Sequence, residues 1–430
     1  MPVRTGKQYI EGLSKRPAEV WISGEKVKDV TTHTAFQNGV RSLAALYDQQ
    51  HDPATKDSMT FESPSSGDPV GLSFIIPKTI DDLVRRREMM TNWAWESCGM
   101  MARTPDFLNN AVSSWAGSAD YFVDNRPEFK DNVLRYHEYI RENDLTMTHT
   151  LVNLQRSRNT AIHDNIEDQV ALTVVDETAQ GIVVHGSRIL ATLGPISDEI
   201  AVYPARSHVL PLGAPGRTSF AFSIPCSSPG LKFLCRESFD LDRSHFDHPL
   251  GSRFEEMDAL AIFDNVAVPW EKVFLLGDVE LCNNMSMNTR QFVHSGHQVV
   301  AKNVVKCEFM LGLANIMVQT LGSGQQPHVQ QMMAEIIENL VVTKACLRAA
   351  EADAEIDRWG VLSPAEFPLM IARQLFIRMY PRMAEILHLL GSSSLMALPT
   401  EADMNGPLAD DINRYLETDT ASADERVRVF

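Results

Sequence analysis

The sequence predicts an α+β chain in three parts, helical, then β, then helical again, and three observations carry that reading. Helix-start signals followed by apolar residues at helical spacing recur in the first third. Between about residues 146 and 280, β-branched runs alternate with Gly and Pro. After residue 280 the helical period returns and holds. The expected units are an N-terminal helical domain (1–145), a central β domain (146–280) and a C-terminal helical domain (281–430). With 430 residues and 44% hydrophobic content, the chain can bury a large core.

The elements follow in order. Thr79 and Asp82 make a capping-box pattern, and "IDDLVRRREMMTNWAW" runs on from it as a helix. In "RTPDFLNNAVSSWAGSADYF", Thr104 suits an N-cap, Pro105 the first turn, and Asp106 the positive end of the helix dipole. "RPEFKDNVLRYHEYIREND" reads as a third helix. In "QVALTVVDETAQGIVVHGSRILATLG", Gly181 and Gly186 read as turns between strands, and "TSFAFSIP" and "DALAIFDNVAVP" continue the β pattern. "SHVLPLGAPGRTS" is too rich in Gly and Pro for regular structure and reads as a mobile surface loop. Further on, Val329, Met333, Ile336, Leu340 and Leu347 share one face of a long helix. "PLMIARQLFIRMYPRMAEILHLLGSSS" gives another, with Gly391 as its expected stop.

Charge and cysteine usage exclude several classes of function. A net charge of −17 repels nucleic acid and anionic membrane surfaces, so neither is expected as a partner. No stretch is long and apolar enough to span a bilayer, and "MPVRTGKQYI" lacks the apolar core of a signal peptide. The six cysteines are scattered, with neither a disulfide framework nor a CxxC metal pattern. The expectation is a reduced, cytoplasmic protein without a metal. No GxGxxG follows a strand, so no nicotinamide site is expected on this chain.

One stretch resists the secondary-structure reading. "NDLTMTHTLVNLQRSRNT" (143–160) crowds a histidine, an asparagine, a glutamine and two arginines together, with the apolar period of neither a helix nor a simple strand. So many donors suit a polyfunctional ligand. They equally suit a polar strand and turn with solvated arginines.

A resemblance separates the two. "ARTPDFLN" (102–109), "NDLTMTHTLVNLQRSR" (143–158), "GIVVHGSRILATLGPISDE" (181–199), "PGLKFLCRESFD" (229–240) and "SRFEEMDALAIFDNVAVPWEKVF" (252–274) resemble, in family order, the oxygenase component of the 4-hydroxyphenylacetate 3-monooxygenase family. These are two-component aromatic hydroxylases, and the phenol, halophenol and nitrophenol branch is included. The resemblance implies an acyl-CoA dehydrogenase-like fold, a homotetramer, reduced FAD delivered by a separate NAD(P)H:flavin reductase, and O2 as co-substrate. A phenolic substrate would be hydroxylated by a flavin hydroperoxide. His149, Thr150, Leu151, Gln155, Arg156, Ser157, Arg158 and Thr192 match flavin-lining positions. Arg103 matches an arginine that binds the substrate oxygen, and His149 a histidine between substrate and flavin. His297, in "HSGHQVVAKNVVKCEF", matches a histidine that serves as base in the halophenol branch, and His294 lies on the same helical face. The base therefore stands open among His297, His149 and His294.

The chemistry suits those residue types. Hydroxylation needs the phenol held over the flavin ring, its oxygen able to lose a proton, and water kept out. A histidine is the natural base near neutral pH, and a cation or a helix N-terminus stabilises the phenolate.

Two departures stand out. Phe107 replaces a tyrosine of the 4-hydroxyphenylacetate enzymes, which leaves an apolar wall and shifts the expectation toward phenols, nitrophenols or halophenols. Relatives continue past the stretch resembling "ERVRVF", so the C-terminal domain is expected to be incomplete at its end. The competing readings are an acyl-CoA dehydrogenase-like flavoenzyme and a non-catalytic scaffold on a flavin fold.

Overall fold

Capping chemistry starts the first long helix where the sequence places it. The computed structural model describes residues 3–153, 170–205, 209–240 and 242–430. In it the Asp82 carboxylate accepts the Thr79 N–H at 2.9 Å and the Thr79 hydroxyl accepts the Asp82 N–H at 3.2 Å. The helix Ile80–Glu96 follows. Pro105 opens the helix Pro105–Gly117, although Thr104, in the N-cap position, makes no side-chain capping bond. The helix Pro127–Glu142 also begins on a proline.

Residues 1–145 are not helix alone. Strands Glu19–Ile22 and Glu25–Lys26 join a six-stranded sheet whose other members come from the middle of the chain. Glu19–Ile22 runs parallel to Leu231–Cys235, pairing Val20 with Phe233. Strands this short carry too little alternation to register in sequence. Leu231–Cys235 then pairs with Ala259–Pro269, which pairs with Gly181–Arg188, and Thr173–Glu177 closes the far edge.

The second sheet has four strands, in the order Val273–Leu276, Phe220–Pro225, Glu199–Val202 and Met147–Thr150. The two sheets meet where Phe222 stands edge-on to Phe263, ring centroids 6.3 Å apart.

Gly186 is not a turn. It lies inside Gly181–Arg188 with φ 123°, and a Cβ there would sit 2.4 Å from the Ala171 carbonyl oxygen. The glycine lets another backbone segment cross the strand, a role that looks like a turn signal in sequence. Gly181, by contrast, does close the turn before its strand, its carbonyl accepting the Thr178 N–H at 2.8 Å.

Three long helices, Gln291–Thr320, Pro327–Ala352 and Glu366–Met396, dominate the last third. Val329, Ile336 and Leu347 are buried on the expected face, and Met333 and Leu340 are half-buried. Gly391 does not end its helix. The axis breaks at the next residue, Ser392 (φ 45°, ψ −128°), and helix resumes to Met396. One core runs from Tyr9 through both sheets to Ala372, and a second lies between the far ends of the three long helices. Among the described residues no helix is long and apolar enough to cross a membrane.

Candidate active site

Met147–Thr150 is a strand, every residue of it buried, lying parallel to Glu199–Val202 with His149 opposite Ala201. Its polar character hid it. Thr148 donates to the Thr192 carbonyl at 2.6 Å and Thr150 to the Ile189 carbonyl at 2.9 Å, so these hydroxyls are satisfied without water. The strand is thereby fastened to the segment that carries Thr192.

His149 projects from this strand into an aromatic stack. Its ring is 5.5 Å from that of Phe107 and 6.0 Å from that of Tyr203, stacked nearly parallel to the latter. Tyr203 in turn stands edge-on to Trp115 at 5.2 Å. The Arg103 guanidinium carbon lies 4.2 Å from the Phe107 ring centre, a cation–π contact. Arg103 and Phe107 are half-buried, whereas His149 is 6% exposed.

His149 Nδ1 is buried with no hydrogen-bond partner among the described residues. Burial, reinforced by the Arg103 charge, pushes the His149 pKa down to about 3, so the ring is neutral at physiological pH. An unpaired imidazole nitrogen beside a cation and an apolar ring is a place for a polar atom carried by an aromatic ligand.

Arg103 also borders a cavity of about 410 Å³, with Thr192, Arg236, Glu255, Glu256 and Asp258 around it. Thr192 donates to Asp258 at 2.6 Å and Arg236 pairs with Glu255 at 2.6 Å. Asp106, buried on the first turn behind Arg103, has its pKa raised to about 6 by burial, against hydrogen bonds from Thr104 and Gln298.

His297 and His294 occupy a different cluster. Arg86 Nη2 lies 3.1 Å from His294 Nδ1 and 3.3 Å from His297 Nδ1. A guanidinium only donates, so both Nδ1 atoms must accept, and each ring carries its proton on Nε2. His297 Nε2–H then donates to Glu351 at 2.8 Å, and Glu351 also accepts from Arg87. His294 Nε2–H meets the Ser363 hydroxyl at 3.3 Å, and Ser363 donates to Asp357 at 3.0 Å. Burial pushes His297 down to about 4, with the Glu351 bond opposing, and holds His294 well below its ordinary value. The structure therefore joins Arg103, Phe107, His149 and Thr192 in one region and places His297 in another, with both of its nitrogens engaged.

Thr150 and Leu151 lie at the end of the His149 strand. Gln155, Arg156, Ser157 and Arg158 fall outside the described residues. Sequence reasoning missed Tyr203 and Glu256. Tyr203 follows directly on a buried strand, and Glu256 sits in the acidic "FEEMD" run, where a buried carboxylate and a solvated one look alike.

Comparison with known proteins extends the picture. Residues 5–275 match the family model 4-hydroxyphenylacetate 3-hydroxylase N terminal, and residues 282–430 its C-terminal counterpart. The chain is 46% identical over 431 residues to the 4-hydroxyphenylacetate 3-monooxygenase oxygenase component of Geobacillus sp. (strain PA-9), spanning 100% of this chain and 87% of that protein. The crystal structure of the oxygenase component of 4-hydroxyphenylacetate 3-monooxygenase complexed with FAD and 4-hydroxyphenylacetate superposes with a TM-score of 0.94 at 44% identity, over 99% of this chain and 87% of that one. Butyryl-CoA dehydrogenase from Megasphaera elsdenii, 13% identical with a TM-score of 0.50 over 92% of this chain and 83% of that one, shares the acyl-CoA dehydrogenase-like fold.

Proposed function

Because the chain belongs to the 4-hydroxyphenylacetate 3-hydroxylase family, we propose that it is the oxygenase component of a two-component monooxygenase that hydroxylates a phenol with reduced FAD and O2. A separate NAD(P)H:flavin reductase supplies the reduced cofactor. This reading stands above an acyl-CoA dehydrogenase-like flavoenzyme or a scaffold, both of which leave the Arg103–Phe107–His149 arrangement without a task. That arrangement carries the proposal: a cation, an apolar ring and a buried, unpartnered imidazole nitrogen within one stack.

The residues present fit the cofactor. His149 Nδ1 and Asn153 Oδ1, on either side of Thr150 and Leu151, are both buried without partners among the described residues. FAD presents a polar ring edge, hydroxyls and a diphosphate to such groups. We assign His149, Thr150, Leu151 and Thr192 to holding it, and Gln155, Arg156, Ser157 and Arg158 on the resemblance alone. When bound, reduced FAD supplies the oxygen activation.

The chain's own residues do the rest. Arg103 stabilises the phenol oxygen as it gains negative charge. The neutral His149 ring offers a lone pair to the phenol O–H. Phe107 and Tyr203 wall the ring and keep water out. Of the three candidate bases we favour His149, since the only lone pair on His297 faces Arg86, as does that on His294. With Phe107 lacking a hydroxyl, we place the preferred substrate among phenols, nitrophenols and halophenols.

We also propose a cytoplasmic homotetramer. All six cysteines are free thiols. The long C-terminal helices expose Ile337, Val341, Phe367, Ile371 and Ile377 to solvent, an apolar surface that association would cover. We place the three units at 1–145, 146–280 and 281–430, with the 19–26 hairpin reaching from the first into the second.

The test is direct. The purified chain, given dithionite-reduced FAD, O2 and a phenol but neither reductase nor NADH, should release the catechol in a single turnover. NADH oxidation by the chain alone, at the rate of product formation, would refute the two-component reading.

A further inference from the structure

Arg103 can hold a ligand only as firmly as its own backbone is held. It lies just before the N-cap of the helix Pro105–Gly117, in a segment outside the helical hydrogen-bond ladder whose amide N–H groups need other acceptors. One carboxylate oxygen satisfies two of these groups. Glu256 Oε1 accepts the Ala102 N–H at 2.7 Å and the Arg103 N–H at 2.6 Å. Glu256 borders the same cavity as Arg103 and Thr192. Its tie therefore spans from the loop before the strand Ala259–Pro269 to the start of the helix that carries Phe107.

Lys302 and Lys306, 7% and 9% exposed on the helix Gln291–Thr320, lie beyond ion-pair distance of this carboxylate, and neither has an ion-pair partner among the described residues. Their ammonium groups lie 5.8 Å from the Phe376 ring centre and 4.6 Å from that of Tyr380. Burial pushes the Glu256 pKa up, while the two amide bonds, Arg103 and Lys302 oppose it. A partly desolvated carboxylate on two backbone amides makes strong, directional bonds. It fixes where Arg103 starts and leaves the guanidinium free to lie over Phe107.

We propose that Glu256 is a positioning residue for phenol binding, acting through the backbone of Arg103. The proposal rests on the reading that Arg103 holds the phenol oxygen. The experiment measures two dissociation constants on the full-length protein, one for 4-nitrophenol and one for reduced FAD under anaerobic conditions.

Glu256→Ala should weaken 4-nitrophenol binding by about tenfold and leave FAD affinity within about twofold. Glu256→Gln, whose amide oxygen can still accept both N–H groups, should restore 4-nitrophenol affinity to within about threefold. Should Glu256→Ala fail to fold, Glu256→Asp, too short to reach both amides, should show the same loss. Arg103→Ala should weaken binding at least as much, and Glu256→Ala added to it should change nothing further, because the two act as one unit. A purely structural role would lower both affinities together and would add to Arg103→Ala. Either result overturns the proposal, as does unchanged 4-nitrophenol affinity in Glu256→Ala while Arg103→Ala loses it. If Arg103→Ala itself binds 4-nitrophenol normally, the reading of Arg103 falls, and this proposal with it.

Discussion

Two places where buried histidines meet arginines, the Arg86 cluster and the Arg103 stack, are built oppositely. In the Arg86 cluster every histidine nitrogen is engaged, so the tautomers of His294 and His297 are fixed and neither has a lone pair to offer. Beside Arg103, the cation turns to the Phe107 ring instead, and His149 Nδ1 is left unpaired. A closed network holds helices together. An open one waits for a ligand. Burial alone does not separate them, since His149 is 6% exposed and His294 and His297 are 1% and 0% exposed. What separates them is whether the fold itself uses the hydrogen-bonding capacity.

The closed cluster should break hardest. Arg86→Leu removes the donor shared by His294 and His297 and leaves two imidazole acceptors buried without partners among the described residues. Removing one member of a buried polar network typically costs about 3–5 kcal/mol. Urea denaturation should show a loss of that size with the slope unchanged. A shift under about 1 kcal/mol would mean that the cluster does not bind the long helices together.

Acid should expose the cost next. Burial lowers the pKa of His137 and His149 to about 3 and of His297 to about 4, and lowers that of His294 as well. The unfolded chain, with histidines near 6.5, therefore binds more protons than the folded one between that value and these lowered ones. Stability is full above about pH 6.5 and falls as pH drops below it. At pH 5 each such histidine costs about 2 kcal/mol. Melting curves recorded from pH 8 to pH 5 should decline monotonically below pH 6.5. In His297→Asn that decline should be shallower, and an equal slope would count against the locked tautomer.

The open site should respond more gently to its own edit. Phe107→Tyr adds a hydroxyl to the ring that Arg103 covers and His149 packs against. It should raise the specificity constant for 4-hydroxyphenylacetate relative to phenol by about tenfold, the worth of roughly 1–1.5 kcal/mol in one hydrogen bond. If the wild-type chain already prefers 4-hydroxyphenylacetate by that margin, Phe107 does not set the substrate.

Much of this was legible in the sequence. Thr79, Asp82 and Pro105 announced their helices because capping and proline geometry are local. Arg103, Phe107, His149 and Thr192 were legible through motif resemblance, and the fold does bring them together. The errors share a cause in contacts made across long sequence distances. Gly186 is in a strand because backbone near Ala171 crosses it, and 19–22 is a strand because Leu231–Cys235 lies alongside. Met147–Thr150 looked irregular because its threonines are satisfied by carbonyls some forty residues on. Nor could sequence show that His297 Nδ1 faces Arg86, 211 positions away.

The most direct measurement of the central claim is product formed per O2 consumed, taken side by side for His149→Ala and His297→Ala with reduced FAD and a phenol. Loss of a positioned proton acceptor typically costs about 10²–10⁴ in rate. His149→Ala should therefore consume O2 yet release it as hydrogen peroxide with almost no catechol. His297→Ala, assayed at a temperature where it is folded, should keep the wild-type ratio. The reverse result, a coupled His149→Ala and an uncoupled His297→Ala, would contradict the assignment of the open site as the place of chemistry.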